Sequence, residues 1–339
     1  MALSTFIAKP KFPKFSSLTG KLDVVVYIFF DLCQQELNFL DIQQTECQIK
    51  DMEEQGIHIE YWPKLKNPVL ISGFEGWGNA LDISSSMVSY MIRRLKAECF
   101  ARLNPDLFYR YDENRPIVNI EEGALKTVSS PGGSFYCVET SPSGKGIVIL
   151  KANEPSLRWM QFADDLFSFC RKLEIRTIIT LGSMYDNVLH SDRIISVIAS
   201  NNEHSMVLKE KNVIPINYRG PSAIHSTIHS EGQKRGFECI SLWCHCPYYL
   251  QGATHFGLLS HLGALLSSLG GFEMDREELD VSWKELNKQI QGLIEKNPEL
   301  QDMINELRKA KIRGSWASMK ESEQKNGKVI QIADFLKPK

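Results

Sequence analysis

The chain has 339 residues, 43% hydrophobic and 24% charged, and its 39 basic against 41 acidic side chains leave a formal charge of −2. These proportions exclude a disordered, collagenous or coiled-coil chain. The near-neutral balance supplies no chain-wide field for nucleic acid or an anionic membrane, so neither is expected as a partner.

Residues 1–55 mix Pro10, Pro13, Ser16-Ser17, Gln34-Gln35 and Gln43-Gln44 without a sustained period, and read as an N-terminal extension. Its apolar run Val24 to Phe30, closed by Asp23 and Asp31, is far shorter than the ~20 residues of a membrane span and lacks a small-residue cleavage site. A cytoplasmic protein is therefore expected. The eight cysteines are scattered through a chain too large to need disulfide staples, and most are read as buried thiols.

From Ile57 onward, short apolar runs alternate with helical patterns. Val69-Leu70-Ile71 precedes a helix-like stretch from Leu81 to Cys99, and Gly146 to Leu150 precedes one from Leu157 to Leu173. Arg176 to Leu181 then supplies another strand. Continuous β-branched runs separated by helices are what a sheet covered on both faces requires, because the crossovers of parallel strands lie over it. The expected fold is α/β, with a parallel-rich central sheet and helices on both faces, over residues 56–272.

Between Arg115 and Glu139, the runs at Pro116–Ile120, Leu125–Val128 and Phe135–Val138 predict an antiparallel insertion at the sheet edge. Near the C-terminus, Leu279, Trp283, Leu286, Ile290 and Leu293 recur at helical spacing, and Pro298 divides them from Leu300, Ile304 and Leu307. This predicts a helical hairpin over residues 273–311, followed by a polar, basic, flexible tail over 312–339. The stripe from Leu279 to Ile290 also offers a surface for self-association.

Three loops carry the residues that suit chemistry. After Ile71 comes Ser72-Gly73-Phe74-Glu75-Gly76-Trp77-Gly78-Asn79, where a parallel sheet presents backbone N–H groups. Its G-x-x-G-x-G spacing is neither a dinucleotide fingerprint nor a phosphate loop, leaving a tight-turn scaffold and an anion site as alternatives. Asn153-Glu154-Pro155 with Arg158-Trp159 follows the next strand, and helix capping accounts for much of it. Gly182 to Arg193 holds Asp186, His190, Asp192 and Arg193, material for acid/base work or for bracing the loop.

Tyr218-Arg219-Gly220-Pro221 enters a helix with His225 and His229 at i, i+4, but no third metal ligand accompanies them. Cys244-His245-Cys246 lacks a second ligand pair, so no metal is expected there, and no sequence signature calls for a cofactor. If a small ligand binds, the expected contacts are Gly73, Glu75, Gly76, Trp77, Asn79, Glu154, Arg158, His190, Arg193 and Tyr218. Arg158 and Arg193 would hold an anion, with His190 as the proton carrier.

Taken in series, Gly73-Phe74-Glu75-Gly76-Trp77-Gly78-Asn79-Ala80, Arg115-Pro116, Glu154-Pro155 with Arg158-Trp159, Leu181-Gly182 with His190 and Arg193, Tyr218 with Gly220-Pro221, and Leu242-Trp243 with Pro247-Tyr248-Tyr249 resemble the proteasome-assembly-chaperone family in its bacterial and archaeal branch. The resemblance spans residues 57 to 310. It implies a fold similar to purine nucleoside phosphorylases, a two-helix C-terminal extension, homo-oligomers, and a non-catalytic protein-binding or scaffolding role with clients such as proteasome-like subunits. The alternative is a ligase- or hydrolase-like enzyme acting on a small anionic substrate at the sheet-end loops. Asn79 stands where the family often has Asp, and Leu189 where it often has Pro. The terminal Leu336-Lys337-Pro338-Lys339 does not match the hydrophobic-Tyr-any tripeptide with which some archaeal members dock on proteasome rings.

Overall fold

A computed structural model describes residues 56–139, 144–200, 208, 211 and 213–312. The N-terminal extension with its Val24–Phe30 run, Cys33, Cys47, and the tail beyond residue 312 lie outside the described residues. In chain order the elements are β1 (Ile57–Ile59), β2 (Val69–Glu75), α1 (Ile83–Leu95), β3 (Glu98–Leu103), α2 (Pro105–Phe108), β4 (Ile117–Glu121), β5 (Ala124–Ser129), β6 (Gly133–Val138) and β7 (Ile147–Asn153). There follow α3 (Trp159–Lys172), β8 (Thr177–Asp186), β9 (Ile195–Ala199), β10 (Ile214–Pro215), α4 (Ile224–Lys234), β11 (Glu238–Pro247), α5 (Phe256–Gly270), α6 (Glu277–Lys296) and α7 (Pro298–Ile312).

A nine-stranded sheet runs in the order β1-β3-β6-β7-β2-β8-β11-β9-β10. Its centre, β7-β2-β8-β11, is parallel. Antiparallel pairing begins at β6 on one side and at β9 on the other. Side chains alternate across a strand, and the two faces feed separate apolar layers. Ile71, Ile149, Ile179, Leu181 and Leu242 join Met87 and Met91 of α1, Leu258 and Leu262 of α5, and the C-terminal helices. Leu70, Phe74, Val148, Leu150 and Ile178 join Phe162, Leu166 and Phe167 of α3 and Ile228 of α4. Burial on both faces explains why these strands read as continuous apolar runs.

The helix expected to reach Cys99 stops at Leu95. Lys96 takes a left-handed φ of 52° and caps the end by donating its N–H to Ile92 O, so Cys99 falls in β3. The expected edge insertion divides differently. β4 and β5 pair only with each other, whereas β6 is incorporated into the main sheet between β3 and β7. The apolar stripe on α6 is also spent: Leu279, Trp283, Leu286 and Ile290 are buried in the chain's own core and offer no free surface.

Candidate functional site

The segment expected to be a loop from Gly182 onward continues β8 as far as Asp186, because β11 pairs with it through Asp186↔Pro247. Gly182 makes that pairing fit: a Cβ there would lie 2.7 Å from the Trp243 ring. Beyond β2, the glycine-rich loop still follows β8, with Ser183 N–H donating to Gly78 O at 2.8 Å. A cleft of about 700 Å³ opens at this carboxyl edge, the place where parallel α/β sheets hold ligands.

Two side chains organise its rim. Asn79 Oδ1 accepts the N–H groups of Ser84 and Ser85 at 3.0 and 3.3 Å, capping α1, while its Nδ2 donates to Ser85 Oγ and to Asp82 Oδ1. Glu154 accepts Trp77 N–H at 3.1 Å on one carboxylate oxygen and Ile224 N–H, at the start of α4, at 2.8 Å on the other. Gly76 permits this approach, since a Cβ there would sit 2.7 Å from Glu154. The N–H groups of Trp77, Ser84, Ser85 and Ile224 are therefore already engaged by the chain itself.

The cleft gathers part of the expected contact set. Gly76, Trp77, Asn79 and Tyr218 line it. Gly73 lies within β2 beneath α1, where a Cβ would meet Ser84 O at 2.8 Å, and Glu75 accepts from the Asn153 amide at 3.2 Å. Arg158, left-handed at the start of α3, lies outside the lining and reaches Gln161. Arg193 also lies outside it, its guanidinium 5.3 Å over the Trp283 ring. The expected pair of arginines thus does not assemble at the cleft.

His190 is placed under α6 instead of at the cleft. The Tyr249 hydroxyl accepts its backbone N–H and bonds its Nδ1, both at 2.7 Å, and the Gln291 amide lies 3.3 Å from its Nε2. Burial lowers its pKa to about 4, so it is neutral near pH 7 and ill suited to carry protons there. His225 is buried between Phe74 and Trp243, and its Nε2–H donates to Leu181 O at 2.7 Å. Burial lowers its pKa as well. In the Cys244-His245-Cys246 run, strand alternation sends His245 to the opposite face from the two buried cysteines, so the three cannot close on one ion.

Sequence reading missed two groupings. His245 Nδ1 meets Asp186 Oδ2 at 2.7 Å and its Nε2 meets Ser196 Oγ at 2.9 Å. This has the connectivity of a hydrolase triad, but Ser196 is fully buried and closed to substrate. The second grouping is the cleft's aromatic wall, Tyr185, Trp243 and Tyr248 beside Trp77 and Tyr218, with Asp82 at its edge. Tyr185 and Tyr248 stack at 5.3 Å. The clustered aromatics of Trp243 and Pro247-Tyr248-Tyr249 were the available signal.

The fold and cleft define a parallel-centred α/β protein with a ligand-sized, aromatic-walled depression at the carboxyl edge of its sheet. The sequence profile of the PAC2 family matches residues 70–294, and the chain belongs to that family. Among solved structures, a PAC2 family protein from Streptomyces avermitilis is 24% identical, with TM-score 0.61 over 67% of this chain and 95% of that one. A proteasome-assembly chaperone homologue from Mycobacterium tuberculosis is 21% identical, with TM-score 0.63 over 70% and 99%. PbaB of Pyrococcus furiosus, described as an archaeal proteasome activator, is 18% identical, with TM-score 0.55 over 70% and 97%. No curated protein matches the chain.

Proposed function

We propose that this chain is a homo-oligomeric, non-catalytic scaffold of the cytoplasm that binds protein clients of the proteasome-subunit kind. In this reading residues 56–272 form the binding domain and residues 273–311 brace one face of it. The observation that carries it is the β4–β5 hairpin. Every residue of both strands is exposed, yet Val118, Ile120, Leu125 and Val128 are 51%, 60%, 60% and 56% accessible large aliphatics.

The register explains their grouping. Val118 pairs with Val128 and Ile120 with Leu125, the pairing shifting between Asn119 and Ile120, so all four share one face. A two-stranded hairpin is marginal by itself in water, and such a face gains from being covered. A second copy fits it: two hairpins packed antiparallel set the Glu121-Glu122 tip of each against Arg115 at the base of the other.

The non-catalytic part is supported by the cleft, where no histidine, lysine or arginine lines the wall among the described residues. The cytoplasmic part is compatible with the absence, among the described residues, of any helix long and apolar enough to cross a membrane. Light scattering on the full chain tests the oligomer and Ile120→Glu tests the surface: the wild type should be multimeric at micromolar concentration and the variant monomeric with an unchanged melting temperature. A monomeric wild type overturns the oligomer. Failure of recombinant proteasome subunits to co-elute with the chain overturns the client.

A further inference from the structure

The charge inventory of the cleft is one-sided. Asp82 is the only charged side chain in its wall among the described residues, and Asn79 and Glu154 already occupy the N–H groups of Ser84, Ser85, Trp77 and Ile224. The rest of the wall is aromatic, aliphatic (Leu81, Met184, Ile198 and Ile216) or small. Trp77 and Tyr218 remain 62% and 54% accessible, and Tyr248 remains 41% accessible. Ring faces are electron-rich and attract cations more strongly than neutral groups of the same size.

The position of Asp82 is held at a conformational cost. Leu81 and Asp82 both take left-handed backbone angles, φ 51° and 53°, in the turn before α1. Branched and bulky side chains avoid that region, and consecutive occupants persist only where the surroundings impose them. Asn79 helps impose it, donating to Asp82 Oδ1 at 3.3 Å and capping the helix that follows. The outcome is a carboxylate at the cleft edge close to Tyr185, whose hydroxyl is hydrogen-bonded at the Leu81 backbone.

We propose that the cleft binds an organic cation bearing apolar substituents, of the alkylated or quaternary ammonium class, with the rings of Trp77, Tyr218, Tyr185 and Tyr248 against its substituents and Asp82 opposite its charge. At about 700 Å³ the site accommodates a small molecule or a single modified side chain. Cation binding in the cleft depends on neither the hairpin nor the oligomer.

Choline and its neutral isostere 3,3-dimethylbutan-1-ol have nearly the same shape and differ in charge. Isothermal titration of each into the full chain at low salt should give about tenfold tighter binding of choline. Asp82→Asn should remove that preference without loss of melting temperature, since asparagine tolerates a left-handed backbone. Trp77→Ala, at an exposed ring, should weaken choline while leaving the fold intact. Equal affinity for the two probes overturns the proposal, as does binding of neither up to 10 mM, or tighter binding of inorganic phosphate than of choline.

Discussion

Glu154 and Ile224 lie 70 residues apart in the chain and meet at 2.8 Å, carboxylate oxygen to backbone N–H. The other oxygen of the same carboxylate receives Trp77 N–H. One side chain therefore holds in fixed relation the glycine-rich loop and the start of α4, both of which contribute residues to the cleft wall.

Glu154→Ala should lower stability by roughly 1–3 kcal/mol, because two N–H groups lose a charged acceptor. Thermal melts measure the loss. Hydrogen exchange should locate it at residues 76–78 and 223–226, while the β4–β5 hairpin stays unchanged.

His190 gives the stability a pH dependence with a definite sign. Its pKa is about 4 in the fold against 6.5 ordinarily, so between these values the unfolded chain binds more protons and stability rises with pH. The contribution is complete above about 6.5 and is lost as pH falls towards 4. His190→Gln should lessen the slope of the melting-temperature profile in this range, the remainder coming from His225, His229, His255 and His261, whose pKa values burial also lowers; an unchanged slope would refute the assignment.

Two glycines should respond in opposite directions to alanine. At Gly182 the new methyl would stand 2.7 Å from the Trp243 ring, and overpacking of that kind costs roughly 1–3 kcal/mol. At Gly292, inside α6, nothing lies within 4 Å of the added Cβ. There alanine should stabilise by about 0.5–1 kcal/mol. Denaturant unfolding of both variants checks the pair.

The Ser196–His245–Asp186 chain should behave as structure. A fluorophosphonate probe should leave Ser196 unlabelled in the native protein, since that side chain is fully buried. His245→Ala should lower the melting temperature, because it leaves the Ser196 hydroxyl without its 2.9 Å partner. Labelling of Ser196 under native conditions would reverse this reading.

The sheet was legible wherever local pattern and tertiary pairing agree, as at Val69–Ile71 and Ile147–Leu150. It was illegible where pairing overrides local pattern: Gly182 to Asp186 carries a glycine and polar residues, yet β11 holds it as strand. The same extension explains the misplacement of His190. With the strand longer and the loop shorter, that residue falls beneath α6, beside Tyr249. Glu154 was singled out as a helix cap and a ligand contact, but its partner Ile224 depends on the path of α4, which no local spacing reveals. Asp82 escaped notice because its place at the cleft follows from an unusual backbone turn.

β11 is the last strand of the sheet in sequence, yet it lies between β8 and β9, and among the described strands β9 and β10 reach the rest of the sheet only through it. A ribosome therefore releases β8 and β9 before the strand that joins them exists. Until residue 247 has emerged, β8 presents an open edge that the finished protein never shows. Such an interval favours association with chaperones or with other nascent chains, and it should make this protein slow to mature and intolerant of truncation before β11.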